Sequence, residues 1–226
     1  MNSLKRHILS VFLAFPTLLM SQTNQVFESW NGLSVSYELI DDLELKVNQE
    51  IRFSDNIQRL SDYITEFEGE YDISKHWSFG LGYRIQRKWD LEDGNHWSSR
   101  YYSNVKYDFD IQRFRVKFRE QYQLEPAWYG ASEWSYFNFS TLRHKLSIDY
   151  NIKGIKLNPF VEMEFYQSLN HPIHNRIVKI RYTMGFEFPI ADKLEMEFMF
   201  RYQNRYDGLR KPKQEFISGI LLKIDF

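Results

Sequence analysis

The last eleven residues, Phe216-Ile-Ser-Gly-Ile-Leu-Leu-Lys-Ile-Asp-Phe226, decide the fold. Counted back from the carboxyl end, every second residue except Ser218 is apolar, while Asp225, Lys223 and Gly219 fall on the other side. Side chains alternate across an extended chain, so this segment predicts a β-strand with one hydrocarbon face and one charged face.

Composition narrows the class of protein. The chain has 19 Phe, 15 Tyr and 6 Trp together with 29 Lys and Arg and 30 Asp and Glu, for a formal charge of −1. Beyond the N-terminus it has no run of about 18 apolar residues, which a membrane-spanning helix requires. A nucleic-acid partner is excluded because no basic excess exists to neutralise phosphates. The absence of cysteine fits a reducing compartment or a disulfide-free envelope protein, and we expect no cofactor.

Residues 1–21 predict a secretory signal peptide. Lys5 and Arg6 form a basic segment, the apolar run from Ile8 to Met20 follows, and Ser21 is a small residue at a plausible cleavage point. An apolar run of about 13 residues, interrupted by a proline, is too short to span a membrane. We therefore expect export, with residues 22–226 forming a single outer-membrane β-barrel domain.

From residue 22 onward, the chain shows strands with one apolar and one charged face. The clearest segment alternates Phe114, Val116 and Phe118 with Arg115 and Lys117. Short turns alternate with longer loops, which is typical of outer-membrane barrels. The pattern predicts an all-β protein, a transmembrane antiparallel up-and-down β-barrel with strands of about nine to eleven residues.

Counting the strands gives about eleven, whereas bacterial single-chain barrels normally have an even number. A short extra strand over Asn24 to Trp30, turning at Asn31-Gly32, predicts twelve, since Asn-Gly is a strong hairpin signal. Ten strands result if an N-terminal segment stays outside the wall. A soluble β-sandwich is the alternative fold, but its apolar faces would pack inward and its loops need not alternate in length.

The charged faces are expected to line the lumen, with acidic and basic rows on neighbouring strands. Such rows either form ion-pair ladders that fill and hold the barrel, or line a narrow pore whose basic stripe favours anions. The candidate lumen charges are Glu66, Glu68, Glu70, Arg84, Arg100, Arg113, Arg115, Lys117, Arg119, Arg143, Lys145, Glu162, Glu164, Arg181, Glu195, Glu197 and Arg201.

Catalysis on a barrel requires a nucleophile beside a base, and the sequence supplies no clear pair. His144 lies on the predicted outward face, but Leu142 and Leu146 occupy the positions two residues away. A protease-like site at the loop rim would have to combine the loop histidines with Asp207, and no motif supports it. We therefore expect no enzyme, and a lipase or protease type acting at the barrel rim is the alternative.

Two loop segments were candidates for a metal site. His171 and His174 have a ligand-like spacing, but no third ligand is assigned. Asp90, Glu92 and Asp93 depart from the EF-hand pattern and fit a solvated loop tip better. Neither segment predicts a bound metal.

Six short segments stand out along the mature chain. They are Trp30, Asn48-Gln-Glu-Ile-Arg-Phe53, Gly80-Leu-Gly-Tyr-Arg84, Arg100-Tyr101, Leu142-Arg-His-Lys-Leu146 and Asn158-Pro-Phe-Val-Glu162. Together they resemble the bacterial envelope proteins grouped as domain of unknown function 2490, over nearly the whole mature chain. The resemblance implies an outer-membrane barrel of uncharacterised role with no catalytic residue to carry over. A leader ending in Ser-Gln resembles those of Bacteroidetes.

The expected location is the Gram-negative outer membrane. Expected partners are membrane lipid, lipopolysaccharide and the barrel-assembly machinery, with a small solute or ion as a candidate for the lumen. Phe226 is expected to be the C-terminal assembly signal, and the last strand is expected to close the barrel against the first. The aromatic loop from Leu124 to Asn138 leaves adhesion open as a further function.

Overall fold

The computed structural model describes residues 24–90, 94–126, 139–170, 176–206 and 213–226. The strands in these ranges are β1 (Asn24–Ile40), β2 (Leu43–Ser54), β3 (Arg59–Ser74), β4 (Trp77–Asp90), β5 (Gly94–Ile111), β6 (Phe114–Glu125), β7 (Phe139–Tyr150), β8 (Asn158–Ser168), β9 (Ile177–Ala191), β10 (Leu194–Arg205) and β11 (Lys213–Asp225). Within these ranges, no helix has the length and apolar character needed to cross a membrane.

The eleven strands form one closed barrel in which consecutive strands pair antiparallel. The circle closes between β11 and β1, from Asn24 opposite Lys213 to Ser36 opposite Asp225. These two strands run parallel, because an odd number of alternating strands leaves the first and the last pointing the same way. The predicted all-β barrel, closed by its last strand against its first, is confirmed.

The predicted count of twelve strands is wrong, and so is the alternative of ten. The segment from Asn24 to Trp30 is not a separate strand, because β1 continues through Asn31 and Gly32. Neither residue has the positive φ that a type I′ hairpin turn requires. Both instead pair with β2 on one side and with β11 on the other. Sheet pairing on both sides thus overrides the local turn signal.

The connections separate into two ends of the barrel. The turn end carries the β1–β2, β3–β4, β5–β6, β7–β8 and β9–β10 connections and the carboxyl terminus. The loop end carries the β2–β3, β4–β5, β6–β7, β8–β9 and β10–β11 connections and the start of β1. The chain therefore enters the barrel at the loop end and leaves it at the turn end.

The barrel is apolar outside and polar inside. Among the described residues, six hydrophobic side chains are buried, against seventeen polar or charged ones. Large apolar side chains lie on the outer face instead, such as Leu81 with 58% and Val161 with 53% of its surface exposed. A soluble sandwich would bury its apolar faces between two sheets. The single closed sheet with this reversed polarity rules that alternative out.

Gly219 of β11 is expected to be required for closing the barrel. A Cβ atom at this position would collide with the backbone oxygen of Trp30 on β1 and would lie 2.7 Å from the Met199 side chain. The backbone of β1 cannot move away without weakening the pairing of β1 with β11, which we call the seam. We expect Gly219→Ala to lower the free energy of unfolding by about 1–3 kcal/mol, measured by urea unfolding of the detergent-folded barrel.

The matched control for this substitution is Gly69→Ala on the outer face of β3. Its new methyl group would lie 3.6 Å from the nearest atom, a Leu45 side-chain carbon, which is ordinary van der Waals contact. We expect this variant to unfold at the wild-type urea concentration. Equal losses of stability in the two variants would contradict a tight seam at Gly219.

Candidate functional site

The lumen surface follows from the strand register, because every second side chain of a strand points inward. Sixteen of the seventeen predicted lumen charges occupy such inward positions. The exception is Arg113, whose placement in the lumen is wrong. It forms the tight turn between β5 and β6 with Gln112, whose φ is 58°, and it is exposed at the turn end. The basic row on β6 therefore comprises Arg115, Lys117 and Arg119.

Ion pairs between strands hold the turn-side half of the lumen. Lys106 on β5 reaches across β4 to bond Glu70 on β3, and its ammonium lies 3.7 Å from Glu68. The β4 positions opposite Glu70 and Glu68 are Gly80 and Gly82, which leave space for the Asn104 and Tyr102 side chains of β5. Elsewhere in this half, equivalent pairs join Lys117 to Asp149, Arg115 to Asp108, and Lys223 to Glu187 and Glu197.

Two aromatic side chains, Tyr102 and Phe160, occupy inward positions in the same half, and we call them the floor. Both are buried. The Tyr102 ring lies against Gly82 and its hydroxyl donates to Glu68 at 3.1 Å, while the Phe160 ring lies against Gly185. Neither ring lines the large cavity on the loop side.

Glu164 on β8 is the centre of the ionic network. It is 4% exposed and accepts ion pairs from Arg143 at 2.6 Å, Arg119 at 2.8 Å and Arg181 at 3.3 Å. The Tyr166 hydroxyl donates a further hydrogen bond at 2.7 Å. One carboxylate thus holds three guanidinium groups. The strand register places this acid directly opposite Lys145 of β7 and Arg181 of β9, whereas Arg143 and Arg119 reach it diagonally from β7 and from β6.

The buried indole of Trp30 collects a second group of arginines. The guanidinium carbon of Arg52 lies 3.6 Å from the ring centroid, and those of Arg201 and Arg181 lie 5.0 and 5.3 Å away. The indole N–H donates to Glu28 at 2.9 Å. A ring face attracts cations through its quadrupole. Trp30 therefore stabilises three positive charges that lie close together in the cavity of the lumen.

A cavity of about 1440 Å³ occupies the loop-side half of the lumen. Thirteen Lys and Arg against nine Asp and Glu line it, an excess of four positive charges in a chain whose formal charge is −1. The basic residues are Arg52, Arg59, Arg84, Lys88, Arg100, Arg119, Arg143, Lys145, Lys179, Arg181, Arg201, Arg205 and Lys213. The acidic residues are Glu28, Glu50, Asp55, Asp62, Glu66, Glu125, Glu162, Glu164 and Glu215.

The turn-side half of the lumen has the opposite balance. Its inward positions carry twelve acids against five bases, an excess of seven negative charges. The acids are Glu38, Glu44, Glu68, Glu70, Asp72, Asp108, Asp110, Asp149, Glu187, Glu195, Glu197 and Asp225. The bases are Lys46, Lys106, Arg115, Lys117 and Lys223. The charge of the lumen therefore reverses along the barrel axis.

Two lysines of the cavity, Lys88 and Lys179, form no ion pair within the described residues. Lys179 instead lies over the ring of Tyr166, 3.7 Å from its centroid. The alternation of the sequence places both lysines inside the barrel but does not single them out. Their lack of a partner depends on cross-strand register and on contacts across the lumen, which the sequence does not specify.

On the outer face, His144 of β7 pairs with Glu120 of β6, with its Nδ1 2.6 Å from Oε2. Its Nε2 lies 3.3 Å from Oε1 of Gln167. Leu142 and Leu146 occupy the neighbouring outward positions on the same strand. This is the geometry of an ion pair on an apolar surface, without a nucleophile at the adjacent positions.

The remaining candidates from the sequence are not among the residues that the structure describes. These are His171, His174, Asp207, Glu92 and Asp93. Within the described ranges, no three His, Cys, Asp or Glu side chains are arranged to hold a metal ion.

A closed meander of strands with an apolar exterior and a charged lumen is the architecture of the class of outer-membrane-type β-barrels. Within this class, the chain belongs to the family described as Protein of unknown function (DUF2490), whose profile matches residues 27–213. The family expected from the six short segments is therefore confirmed. No curated protein matches the chain in sequence.

Solved structures share the architecture at low sequence identity. The NanC porin, solved in a rhombohedral crystal form, is similar with a TM-score of 0.51 and 13% identity, over 79% of this chain and 88% of the porin. LpxR from Salmonella typhimurium is similar with a TM-score of 0.51 and 12% identity, over 85% and 87% of the two chains. These likenesses concern the fold.

Proposed function

We propose that this protein is an outer-membrane β-barrel with a lumen closed on the turn side and open on the loop side as a basic cup for small anions. The observation that carries the proposal is the reversal of lumen charge along the axis. An anion is attracted by the four excess positive charges of the cavity. It then meets the floor and the seven excess negative charges of the turn-side half. The cup therefore holds anions rather than passing them.

The reversed polarity of the barrel supports a membrane location. Soluble proteins rarely expose continuous apolar surface of this extent, and the outward residues of all strands are rich in Leu, Val, Ile, Phe and Tyr. The strands have 11 to 18 residues, enough to cross the hydrocarbon at a tilt. Membrane lipid, lipopolysaccharide and the barrel-assembly machinery are the partners that such a location implies. The signal peptide over residues 1–21 lies outside the described residues and stays a prediction.

The role of Phe226 as an assembly signal also stays a prediction. Its side chain is 62% exposed at the end of β11, and its backbone N–H donates to the Ser36 oxygen of β1 at 3.0 Å. A terminal aromatic that is both accessible and next to the closing seam is suitably placed for recognition before the barrel closes.

We further propose that the barrel is not an enzyme. The outward histidine, His144, faces a carboxylate and two leucines, and this arrangement activates no nucleophile. Adhesion through the aromatic loop concerns residues 127–138, which lie outside the described ranges.

Planar-bilayer recording tests the closed floor. We expect the wild-type barrel to give current steps far smaller than those of the NanC porin measured under the same conditions, because in the proposed function the buried rings of Tyr102 and Phe160 close the lumen. The double variant Tyr102→Ala, Phe160→Ala removes both rings and should increase the conductance severalfold.

Tyr101→Ala is the control, because Tyr101 lies beside Tyr102 on β5 but on the outer face. We expect its current to match that of the wild type. Current steps from the wild-type barrel as large as those of the NanC porin would show that the lumen is an open pore. An unchanged current in the double variant would show that the floor does not close the lumen.

A further inference from the structure

The cavity contains one cross-strand row of positive charge without an acid in it. Directly opposite positions on neighbouring strands join Arg143 to Tyr166, Tyr166 to Lys179, Lys179 to Arg205, and Arg205 to Lys213. Side chains at directly opposite positions lie about 5 Å apart at Cβ, and like charges placed this way are destabilising. The row therefore places four cations and one tyrosine on five neighbouring strands, at a cost in stability.

Acids outside the row neutralise its two ends better than its middle. Arg143 bonds Glu164 at 2.6 Å, and Lys213 lies 2.8 Å from Glu215. In the middle, Arg205 reaches the same Glu215 only at 3.7 Å. Lys179 has no ion pair within the described part of the chain. The centre of the row therefore consists of the Lys179 ammonium and the Arg205 guanidinium, and the only carboxylate paired with either of them in the described residues is Glu215, 3.7 Å from Arg205.

The surroundings of Lys179 add further positive charge. Arg100, Arg143, Arg181 and Arg205 all lie close enough to repel its ammonium. The Nε of Arg100 is buried without a hydrogen-bond partner, although its terminal nitrogen pairs with Glu125 at 2.9 Å. An unpartnered buried donor and an unpaired lysine facing one cavity are the features of a site that lacks its anion.

We propose that Lys179, which lies above the ring of Tyr166, and Arg205 directly opposite it bind a small soluble oxyanion, a phosphate or carboxylate group, that enters the cavity from the loop end. This inference rests on the proposed function and names the ligand class of the cup. Charge-assisted hydrogen bonds from an ammonium and a guanidinium are the usual means of holding such groups. The lining side chains are polar and lie inside the barrel wall, so the site suits a dissolved anion better than a lipid headgroup on the outer face.

Titration calorimetry of the detergent-folded barrel with sodium phosphate, at constant ionic strength in sodium chloride, tests the site. We expect saturable binding to the wild type, and an affinity about tenfold or more weaker in Lys179→Gln, because one charge-assisted contact is lost. Arg205→Gln should weaken binding as well. Lys179 forms no ion pair within the described residues, so Lys179→Gln should fold. Heat-dependent mobility of the barrel in gels checks that it has folded. Sodium acetate in place of phosphate distinguishes a carboxylate site.

The control is Lys117→Gln, which removes a lysine of the turn-side half that pairs with Asp149 at 2.8 Å. This variant should bind phosphate as the wild type does. Absence of saturable binding to the wild type by either anion, or equal binding by the wild type and Lys179→Gln, would overturn the site. The calorimetry does not depend on conduction. If the wild-type barrel binds phosphate and also gives current steps as large as those of the NanC porin, the anion site is supported and the closed floor is refuted.

Discussion

Glu164→Gln is expected to lower the free energy of unfolding of the barrel by about 3–5 kcal/mol, the cost of removing one partner from a buried ion pair. Glu164 is 4% exposed and holds the guanidinium groups of Arg119, Arg143 and Arg181. Glutamine keeps the size and a carbonyl acceptor but removes the negative charge. Three clustered cations would then repel each other inside the lumen. Urea unfolding of the folded barrel in detergent, followed by tryptophan fluorescence, measures the loss.

A second substitution separates electrostatics from packing. If repulsion among the arginines causes the loss, then adding Arg181→Gln to Glu164→Gln should restore part of the stability. The control is Glu44→Gln at the turn end of the lumen, which breaks the 2.6 Å pair with Lys46 at a site where the Glu44 side chain is 40% exposed. This control should cost no more than about 1 kcal/mol. A Glu164→Gln loss as small as the control would contradict the central role of this carboxylate.

The two-residue period of the sequence was sufficient to predict most of the wall. It placed Leu81, Val161 and the apolar row of β11 outside and sixteen of the candidate charges inside, because a strand leaves no freedom in which face a residue occupies. The prediction of the lumen-facing residues failed at the end of a strand, where the alternation of faces no longer applies. Arg113 continues the alternation in sequence, but the chain has already turned at Gln112.

The number of strands could not be read from local signals. Asn31-Gly32 is a hairpin signal by residue type, yet the pairing of β1 with both neighbours keeps these residues extended. The site was equally beyond the sequence. The contacts of Arg181 and Arg201 with Trp30 join β9 and β10 to β1 and exist only once the circle has closed. The three arginines on Glu164 and the position of Lys179 over Tyr166 depend on the register of β6 to β9 and on side-chain conformation, which the sequence does not specify.

Single cysteines on β4 can test directly whether this barrel crosses a membrane with a water-filled cup inside. The chain contains no cysteine, so each variant reports one position. Leu81 lies on the outer face with 58% of its surface exposed, and Lys88 lines the cavity. In lipid vesicles the first position should be covered by hydrocarbon, which excludes charged reagents, and the second should be in contact with water.

The measurement is labelling of Leu81→Cys and Lys88→Cys by a charged, water-soluble maleimide in vesicles, and again after unfolding in urea. We expect Lys88→Cys to react in the folded barrel and Leu81→Cys to remain unlabelled until the protein is unfolded. Labelling of Leu81→Cys in vesicles as fast as that of Lys88→Cys would contradict a membrane-spanning barrel.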